Sequence, residues 1–188
     1  NYYIHSPQYK VYFHIIGDFF NPGEREEYMS IIKENHLDPY VILHGRQAGQ
    51  MLDLLFELCD FGIGSLGRHR SGITNIKTLK NREYAARGIP FIYSEIDEDF
   101  ENMPYIMKIP ANEEAVDIKQ ILNFYNQLHI TPLEIRNSIR HLSWNNQMKK
   151  VLDEMQKKDK INPNNNNIAN FATLYTNKFI PNKEKWPH

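Results

Sequence analysis

Two stretches of this 188-residue sequence carry residue types that could do chemistry. The first, Gly62-Ile63-Gly64-Ser65-Leu66-Gly67, matches G-x-G-x-x-G, with which dinucleotide-binding proteins hold a pyrophosphate at the amino end of a helix. That chemistry needs a helix directly after the third glycine. Here the polar residues 68–72 follow, and the next helical pattern begins near Thr78. The motif therefore lies in the wrong structural place for NAD and keeps an NAD-dependent oxidoreductase only as an alternative. Its glycines are more simply explained by close approach of a strand to a neighbouring helix or a ligand.

The second stretch is a basic loop over residues 67–77, with Lys80 just beyond it. Its cationic or titratable side chains are Arg68, His69, Arg70 and Lys77. Cations are unfavourable near the amino end of a helix, so Lys80 in the predicted first turn opposes the helix dipole. A bound anion would remove this conflict, because free backbone N–H groups and cationic side chains would converge on it. The residues alone leave two interpretations open, an anion site and a solvated basic loop.

An acidic residue in the helix that follows could bind a sugar. At helical spacing, Glu83 shares a face with Leu79 and Ala86, which we expect to pack towards the sheet. A carboxylate facing partly inward, one turn into this helix, could accept hydrogen bonds from a sugar diol. The alternative is an exposed ion pair between Glu83 and Arg87, worth only a few tenths of a kcal/mol.

Other chemistries find no support in the spacing of residues. The eight histidines show no H-x-x-x-H pattern or comparable ligand spacing, so we expect no metal site and no metal cofactor. No G-x-S-x-G occurs, so a hydrolase of that type lacks its nucleophile turn. The acidic residues between 95 and 101 follow a predicted strand on its ligand side, and we expect them to be solvated.

Alternating strands and helices must position these residues. Runs of β-branched and aromatic residues predict strands at 11–16, 40–43, 61–66, 89–93 and 105–107. Helical spacing predicts helices at 22–34, 47–59 and 78–87. Asn21 would cap the first helix, and Gly88 would end the third in the left-handed conformation. This alternation predicts an α/β fold, a Rossmann-like open parallel sheet with helices on both faces and ligands at the carboxyl ends of its strands.

Only helical patterns follow the last predicted strand. One helix is expected over 113–128 and a second over 131–158. The buried stripe of the second would consist of Ile135, Ile139, Leu142 and Met148. We therefore predict one domain over 1–158, followed by an Asn-rich C-terminal arm over 159–188 that has little to bury.

Composition excludes several functional classes. Lys and Arg number 22 against 23 Asp and Glu, and a net charge of -1 argues against nucleic acid as a partner. No stretch reaches the roughly 18 to 20 apolar residues of a transmembrane segment. The single cysteine, Cys59, excludes an internal disulfide and fits a reducing compartment. We expect a cytoplasmic protein, with peripheral attachment at the inner face of the membrane left open.

Taken in order, the landmarks of the chain resemble the C-terminal half of a GT-B glycosyltransferase, of the family 4 group of retaining enzymes. The most specific landmark, residues 79–92, reads LKNREYAARGIPFI and resembles the family segment LK-x-x-EY-x-A-x-G-x-P-x-I. Residues 13–18, 41–45 and 60–66 match earlier landmarks, and Ser143-Trp144 fits the usual end of the domain. The similarity covers about Val11 to Met155.

The resemblance implies a domain that binds a nucleotide-diphosphate sugar as donor for retaining transfer to a glycan or lipid-linked acceptor, in cell-envelope or capsular polysaccharide synthesis. Glu83 matches the second glutamate of the family's E-x7-E motif, which usually holds the ribose hydroxyls. The first glutamate falls at Asn75, a departure that leaves an uncharged side chain at that position. The backbone of residues 76–78 matches the stretch that meets the sugar and the pyrophosphate. Gly45 and Arg46 match the turn beside the base, and Gly17 the glycine turn near the donor.

These matches and the basic loop together give the predicted nucleotide-sugar-binding residues: Gly17, Gly45, Arg46, Arg68, Asn75, Ile76, Lys77, Thr78, Leu79, Lys80 and Glu83. The resemblance also implies that the acceptor-binding N-terminal domain, and the first strand and helix of this domain, lie outside the sequence. Catalytic residues are expected partly in that N-terminal domain. The chain alone is therefore expected to bind nucleotide weakly, if at all, and not to turn over. No metal is implied, since basic residues and a helix N-terminus would stabilise the leaving diphosphate.

Two alternatives remain beside the glycosyltransferase. One is the NAD-dependent oxidoreductase that would use Gly62, Gly64 and Gly67, and the other is a non-catalytic nucleotide-sugar-binding module. The start of the helix after the basic loop separates the first alternative from the glycosyltransferase, at about Gly67 for NAD and at about Thr78 for sugar transfer. The second alternative differs only in turnover.

Overall fold

The computed structural model describes residues 2–5 and 8–161, so the arm predicted over 159–188 lies outside the described residues apart from 159–161. The strands are Phe13–Ile15 (β1), Val41–Leu43 (β2), Gly62–Ile63 (β3), Phe91–Tyr93 (β4) and Ile106–Lys108 (β5). The α-helices are Pro22–Glu34 (α1), Gly49–Glu57 (α2), Leu79–Arg87 (α3), Ile118–Asn126 (α4), Pro132–Ser138 (α5) and Trp144–Ile161 (α6). Short 3-10 helices occur at Tyr2–His5, Arg68–Ser71 and Arg140–Leu142.

The strands are all parallel and form small open sheets, as expected for an α/β chain consistent with a Rossmann-like fold. They form two sheets, however, with orders β1-β2 and β3-β4-β5, so the prediction of one continuous sheet is wrong. In the first sheet Phe13 pairs with Val41, and in the second Phe91 pairs with both Gly62 and Ile106. No strand within 2–5 and 8–161 pairs with members of both sheets.

Local capping chemistry sets the ends of α1 and α3 where the sequence predicts them. Asn21 caps α1, its Oδ1 accepting a hydrogen bond from Glu24 N at 2.9 Å. Thr78 caps α3 in the same way through Asn81 N, and Gly88 ends it with φ of 76°. Both helices are confirmed, and the strands are shorter than predicted.

The core of the β3-β4-β5 sheet forms around β4. Phe91, Ile92 and Tyr93 are fully buried, together with Phe100 and Tyr105. Helix α3 packs so closely on β3 that a Cβ at Gly62 would lie 2.7 Å from the Tyr84 ring. A Cβ at Gly64 would lie 2.7 Å from Asn81 Oδ1. The first two glycines of the G-x-G-x-x-G stretch therefore allow a strand to approach a helix, as the simpler interpretation predicted, whereas Gly67 has no group within 4 Å of a Cβ.

By its internal contacts the chain divides into two compact units, Asn1–Arg136 and Asn137–His188. The prediction of one helix over 131–158 is wrong, because α5 ends at Ser138 and α6 begins only at Trp144. Ser143 is extended between them, with φ of -58° and ψ of 146°, and its hydroxyl accepts a hydrogen bond from Asn146 N. A serine in this conformation starts a new helix rather than continuing the old one. Ile135 and Ile139 are buried as predicted, whereas Met148 is exposed.

Within 2–5 and 8–161, no helix combines the length and the apolar character that crossing a lipid bilayer requires.

Candidate functional site

The predicted site residues fall into two groups, each at the carboxyl ends of parallel strands. The first group is Gly17, Gly45 and Arg46, which follow β1 and β2. Gly17 N donates a hydrogen bond to Gly45 O at 2.8 Å, and both glycines have positive φ, 136° and 64°. A Cβ atom added to either glycine would meet no group within 4 Å, so the backbone of both residues is open to an incoming molecule. Arg46 forms an exposed ion pair with Asp18, with Nε 3.5 Å from Oδ2.

These glycines line a cleft of about 500 Å³. Its wall is otherwise built from Leu43, the start of α1 and the loop before that helix: Asp18, Phe19, Phe20, Asn21, Pro22 and Arg25. Phe20 is 94% exposed, so an aromatic ring lies beside the cleft without being packed into the protein. The cleft thus offers apolar and aromatic surface with a few charged groups around it.

Two histidines that sequence reasoning did not select lie at this end of the sheet. His14 in β1 and His44 directly after β2 are in contact, with Nδ1 of the first 3.0 Å from Nε2 of the second. Their rings stack with centroids 5.1 Å apart. One ring must donate and the other accept, so the contact requires that at least one imidazole be neutral. Burial and the neighbouring His44 lower the pKa of His14.

We expect the stability of the chain to fall when the pH is lowered from 7.5 to 5.5. A histidine whose pKa is depressed in the folded chain stabilises it fully above the unfolded pKa of about 6.5, and this contribution is lost as the pH falls through the folded pKa. Urea unfolding of the wild type and of His14→Phe, which keeps the stack but cannot titrate, measures the effect. Between pH 7.5 and pH 5.5, the free energy of unfolding should fall less in His14→Phe than in His129→Gln, where an exposed histidine in a loop is replaced. Equal declines in the two variants would contradict this assignment.

The second group of predicted residues surrounds the amino end of α3, beyond β3. Arg68 opens the 3-10 helix 68–71, and Lys80 lies in the first turn of α3. Desolvation by the surrounding protein and, to a smaller extent, the charge of Arg68 lower the pKa of the Lys80 amine. Neither cation has an ion-pair partner within 2–5 and 8–161, although other cations of this region do: Arg70 with Glu113, Lys77 with Glu98 and Arg82 with Asp97.

The rest of this group forms the segment that leads from the basic loop into α3. Asn75 and Ile76 run beside Ile96 as an extended strand, with Ile76 N donating to Ile96 O at 2.8 Å. Ile76 is buried, whereas Lys77 and Leu79 are exposed, Leu79 to 84%. The structure therefore brings residues 68 and 75–80 together. No hydrogen bond or ion pair between described residues joins them to the first group.

Glu83 does not face the sheet, and that expectation is wrong. The buried face of α3 is formed by Asn81 and Ala85, both fully buried, and Asn81 packs against Gly64, directly after β3. Glu83 lies on the exposed side, its carboxylate 2.6 Å from Arg87 Nε. Arg87 also pairs with Asp53 of α2 at 2.7 Å and lies over the Phe56 ring. The alternative that the sequence left open, an ion pair between Glu83 and Arg87, is what the structure shows.

Two acidic residues that we expected to be solvated are buried. Glu95 is 2% and Asp97 0% exposed, while Ile96 between them is exposed. The carboxylate of Glu95 accepts hydrogen bonds from Arg68 N at 2.5 Å and His69 N at 3.3 Å, and from the Ser94 hydroxyl. Burial extends from β4, whose three residues are fully buried, through Ser94 to Glu95, and the residue types alone gave no signal for it, because the apolar Ile96 is exposed between two buried acids.

Comparison of the chain with family models, with curated proteins and with solved structures found no match. In the described part of the chain, no group of three or more His, Cys, Asp or Glu residues is arranged to hold a metal ion. The most distinctive feature of the site is a pair of cations without an ion-pair partner among the described residues: Arg68, in the turn after β3, and Lys80, in the first turn of α3.

Proposed function

We propose that this chain is the donor-binding part of a GT-B glycosyltransferase of the family 4 type. It would bind a nucleotide-diphosphate sugar for retaining transfer to a glycan or lipid-linked acceptor in cell-envelope or capsular polysaccharide synthesis. The observation that carries the proposal is that Arg68, which opens the 3-10 helix after β3, and Lys80, in the first turn of α3, have no ion-pair partner within the described residues, while the charge of Arg68 helps to lower the pKa of Lys80. Two like charges held together are unfavourable by themselves, and a diphosphate between them turns this repulsion into attraction.

The amino end of α3 adds to the attraction for a diphosphate. The hydroxyl of Thr78 accepts from Asn81 N, which leaves the N–H groups of Leu79 and Lys80 in the first turn for a ligand. The exposure of Leu79 and Lys77 keeps this turn accessible. Helix N-termini favour anions, and cations beside them would stabilise the negative charge that grows on the diphosphate as the sugar leaves.

The first group of site residues would hold the nucleoside. Gly17 and Gly45 leave open backbone at the wall of the 500 Å³ cleft, which lets a planar group approach closely. The cleft is mostly apolar with a few charged groups at its rim, the character usual for sites that bury a flat organic ligand. This assignment follows the resemblance of Gly45 and Arg46 to the turn beside the base.

The NAD-dependent alternative is less well supported by the geometry. It needs the pyrophosphate at the amino end of a helix that starts at Gly67, where only the 3-10 helix Arg68–Ser71 is found. The N–H groups of Arg68 and His69 at that end already donate to the Glu95 carboxylate. An internal anion therefore occupies the place of the pyrophosphate. The non-catalytic module remains an alternative that only a transfer assay with the acceptor domain present can separate.

A thermal-shift panel of UDP, GDP, ADP and NAD tests the proposal on the 188-residue chain. At least one nucleoside diphosphate should raise the melting temperature, by an amount equivalent to about 2.7 kcal/mol at 100 times its dissociation constant. Because affinity is expected to be weak, concentrations should reach the millimolar range. A response to NAD without a response to any nucleoside diphosphate would overturn the proposal.

Replacing Glu83 with alanine tests whether this residue contacts ribose. If its carboxylate accepts hydrogen bonds from the ribose hydroxyls, the variant should bind a nucleoside diphosphate about tenfold more weakly, and inorganic pyrophosphate as well as before. Asp53→Ala is the matched control, because it removes the other carboxylate that pairs with Arg87. Calorimetric titration gives both affinities. If both variants bind the nucleotide like the wild type, Glu83 is part of a surface ion pair and nothing more.

A further inference from the structure

Glu95 is a buried carboxylate whose role in sugar transfer no resemblance assigns. Its side chain is 0% exposed. One oxygen accepts the backbone N–H groups of Arg68 and His69, and the other accepts the Ser94 hydroxyl at 2.8 Å. Burying a carboxylate costs several kcal/mol unless such hydrogen bonds compensate it. The Ser94 hydroxyl binds the carboxylate at the end of β4, and the N–H groups of Arg68 and His69 bind it to the 3-10 turn 68–71. Two of the three donors therefore come from the backbone that carries Arg68.

Ile96 and Asp97, the next two residues after Glu95, bind the other end of the basic loop. Ile96 exchanges backbone hydrogen bonds with the loop, accepting from Ile76 N at 2.8 Å and donating to Thr74 O at 2.9 Å. Asp97 accepts hydrogen bonds from Asn81 and Arg82 in the first turn of α3. Three consecutive residues thus hold three parts of the segment from Arg68 to Arg82. The distance between Arg68 and Lys80 depends on these attachments.

We infer that Glu95 is a positioning residue of the anion site: by holding the backbone at 68 and 69, it fixes the 3-10 turn that carries Arg68 at the carboxyl end of β4. This inference rests on the proposed function and adds a residue to it. The carboxylate of Glu95 is stabilised in its buried position by three hydrogen-bond donors. Without Glu95, the turn would be free to let the two cations separate, and a diphosphate would lose one of its two charged contacts.

Other charged groups near Glu95 hold the same turn from outside. His69 Nδ1 lies 3.9 Å from the Glu95 carboxylate, and His69 Nε2 lies 2.8 Å from Glu113. Glu113 also pairs with Arg70, and the Lys108 amine donates to the backbone carbonyl of Glu95. These contacts engage His69 and Arg70 and leave the Arg68 side chain for the ligand.

A double-mutant cycle on binding of inorganic pyrophosphate tests the inference. Affinities of the wild type, Glu95→Ala, Arg68→Ala and the double variant are measured by NMR titration of the 188-residue chain. Each single change should weaken binding about tenfold, and the double variant should bind no more weakly than Arg68→Ala, because Glu95 acts only through Arg68. Glu95→Gln, whose amide oxygen can still accept the two N–H groups, should restore most of the affinity.

The outcomes separate this inference from the proposed function. No pyrophosphate binding by the wild type would overturn the proposed function and this inference with it. Binding by the wild type that is unchanged in Glu95→Ala, or losses that add in the double variant, would overturn the inference alone. If Glu95→Ala does not fold, Glu95→Asp replaces it in the same cycle, because it withdraws the carboxylate by one methylene and keeps the charge. Additive losses with Arg68→Ala would again be the contrary result.

Discussion

Lys80→Met is expected to weaken the binding of inorganic pyrophosphate by about 10- to 100-fold, the equivalent of a charge-assisted hydrogen bond of roughly 1.5 to 3 kcal/mol. The same change should raise the stability of the ligand-free chain. The loss of affinity comes from removing a cation that would contact the ligand, and the gain in stability comes from removing an amine whose protonated form the folded chain disfavours. Burial and the charge of Arg68 lower the pKa of Lys80, so the folded chain disfavours the protonated amine, and removing the amine relieves the conflict at neutral pH.

Opposite changes in affinity and stability would identify the cation pair as a binding site rather than a structural contact. Titration with pyrophosphate and urea unfolding at pH 7 measure the two effects. Arg70→Met is the matched control, because its guanidinium lies in the same loop and pairs with Glu113, whose pKa this contact lowers to about 2. The control should leave pyrophosphate affinity within about twofold, since its cation is already engaged. Equal losses in the two variants would show that the loop acts only through its total charge.

Asp97→Ala is expected to destabilise the chain by about 3 to 5 kcal/mol, the cost of breaking a buried ion pair by removing one partner. Asp97 is fully buried and accepts hydrogen bonds from Asn81 Nδ2 at 3.1 Å and Arg82 Nη1 at 3.2 Å. Asn81 is also fully buried, and its Oδ1 has no hydrogen-bond partner among the described residues. Within this part of the chain, the amide depends on Asp97 for the one hydrogen bond that its side chain makes. Removing the carboxylate leaves both the amide and part of the guanidinium uncompensated.

Urea unfolding of Asp97→Ala should be compared with that of Asp99→Ala. Asp99 binds the same guanidinium, but its side chain is 21% exposed, so water can replace it. We expect this control variant to lose about 1 kcal/mol of stability, as is usual for ion pairs near the surface. Similar losses in the two variants would mean that burial of Asp97 adds nothing to the stability of α3. Because Asp97 holds the first turn of α3, its loss should also weaken the anion site.

Local chemistry in the sequence determined where several elements lie. Helix α1 begins at Asn21 and Pro22, and α3 lies between Thr78 and Gly88. The side chains or the backbone freedom of these residues favour helix ends whatever surrounds them. The alternation of strand and helix patterns in the sequence predicted that the strands would pair in parallel, as they do. The concentration of cations between residues 68 and 80 was also visible, because charge is a property of residue type.

Tertiary structure decided which of those cations are available to a ligand. Arg70 is paired with Glu113 and Arg82 with Asp97, residues distant in sequence, whereas Arg68 and Lys80 are brought together without such a partner among the described residues. Ion pairs between distant segments depend on how those segments pack, and residue spacing contains no such information. The face of α3 was misjudged for the same reason. Gly62 accommodates Tyr84 and Gly64 accommodates Asn81, so the helix turns its Glu83 side towards solvent and the Arg87 pair.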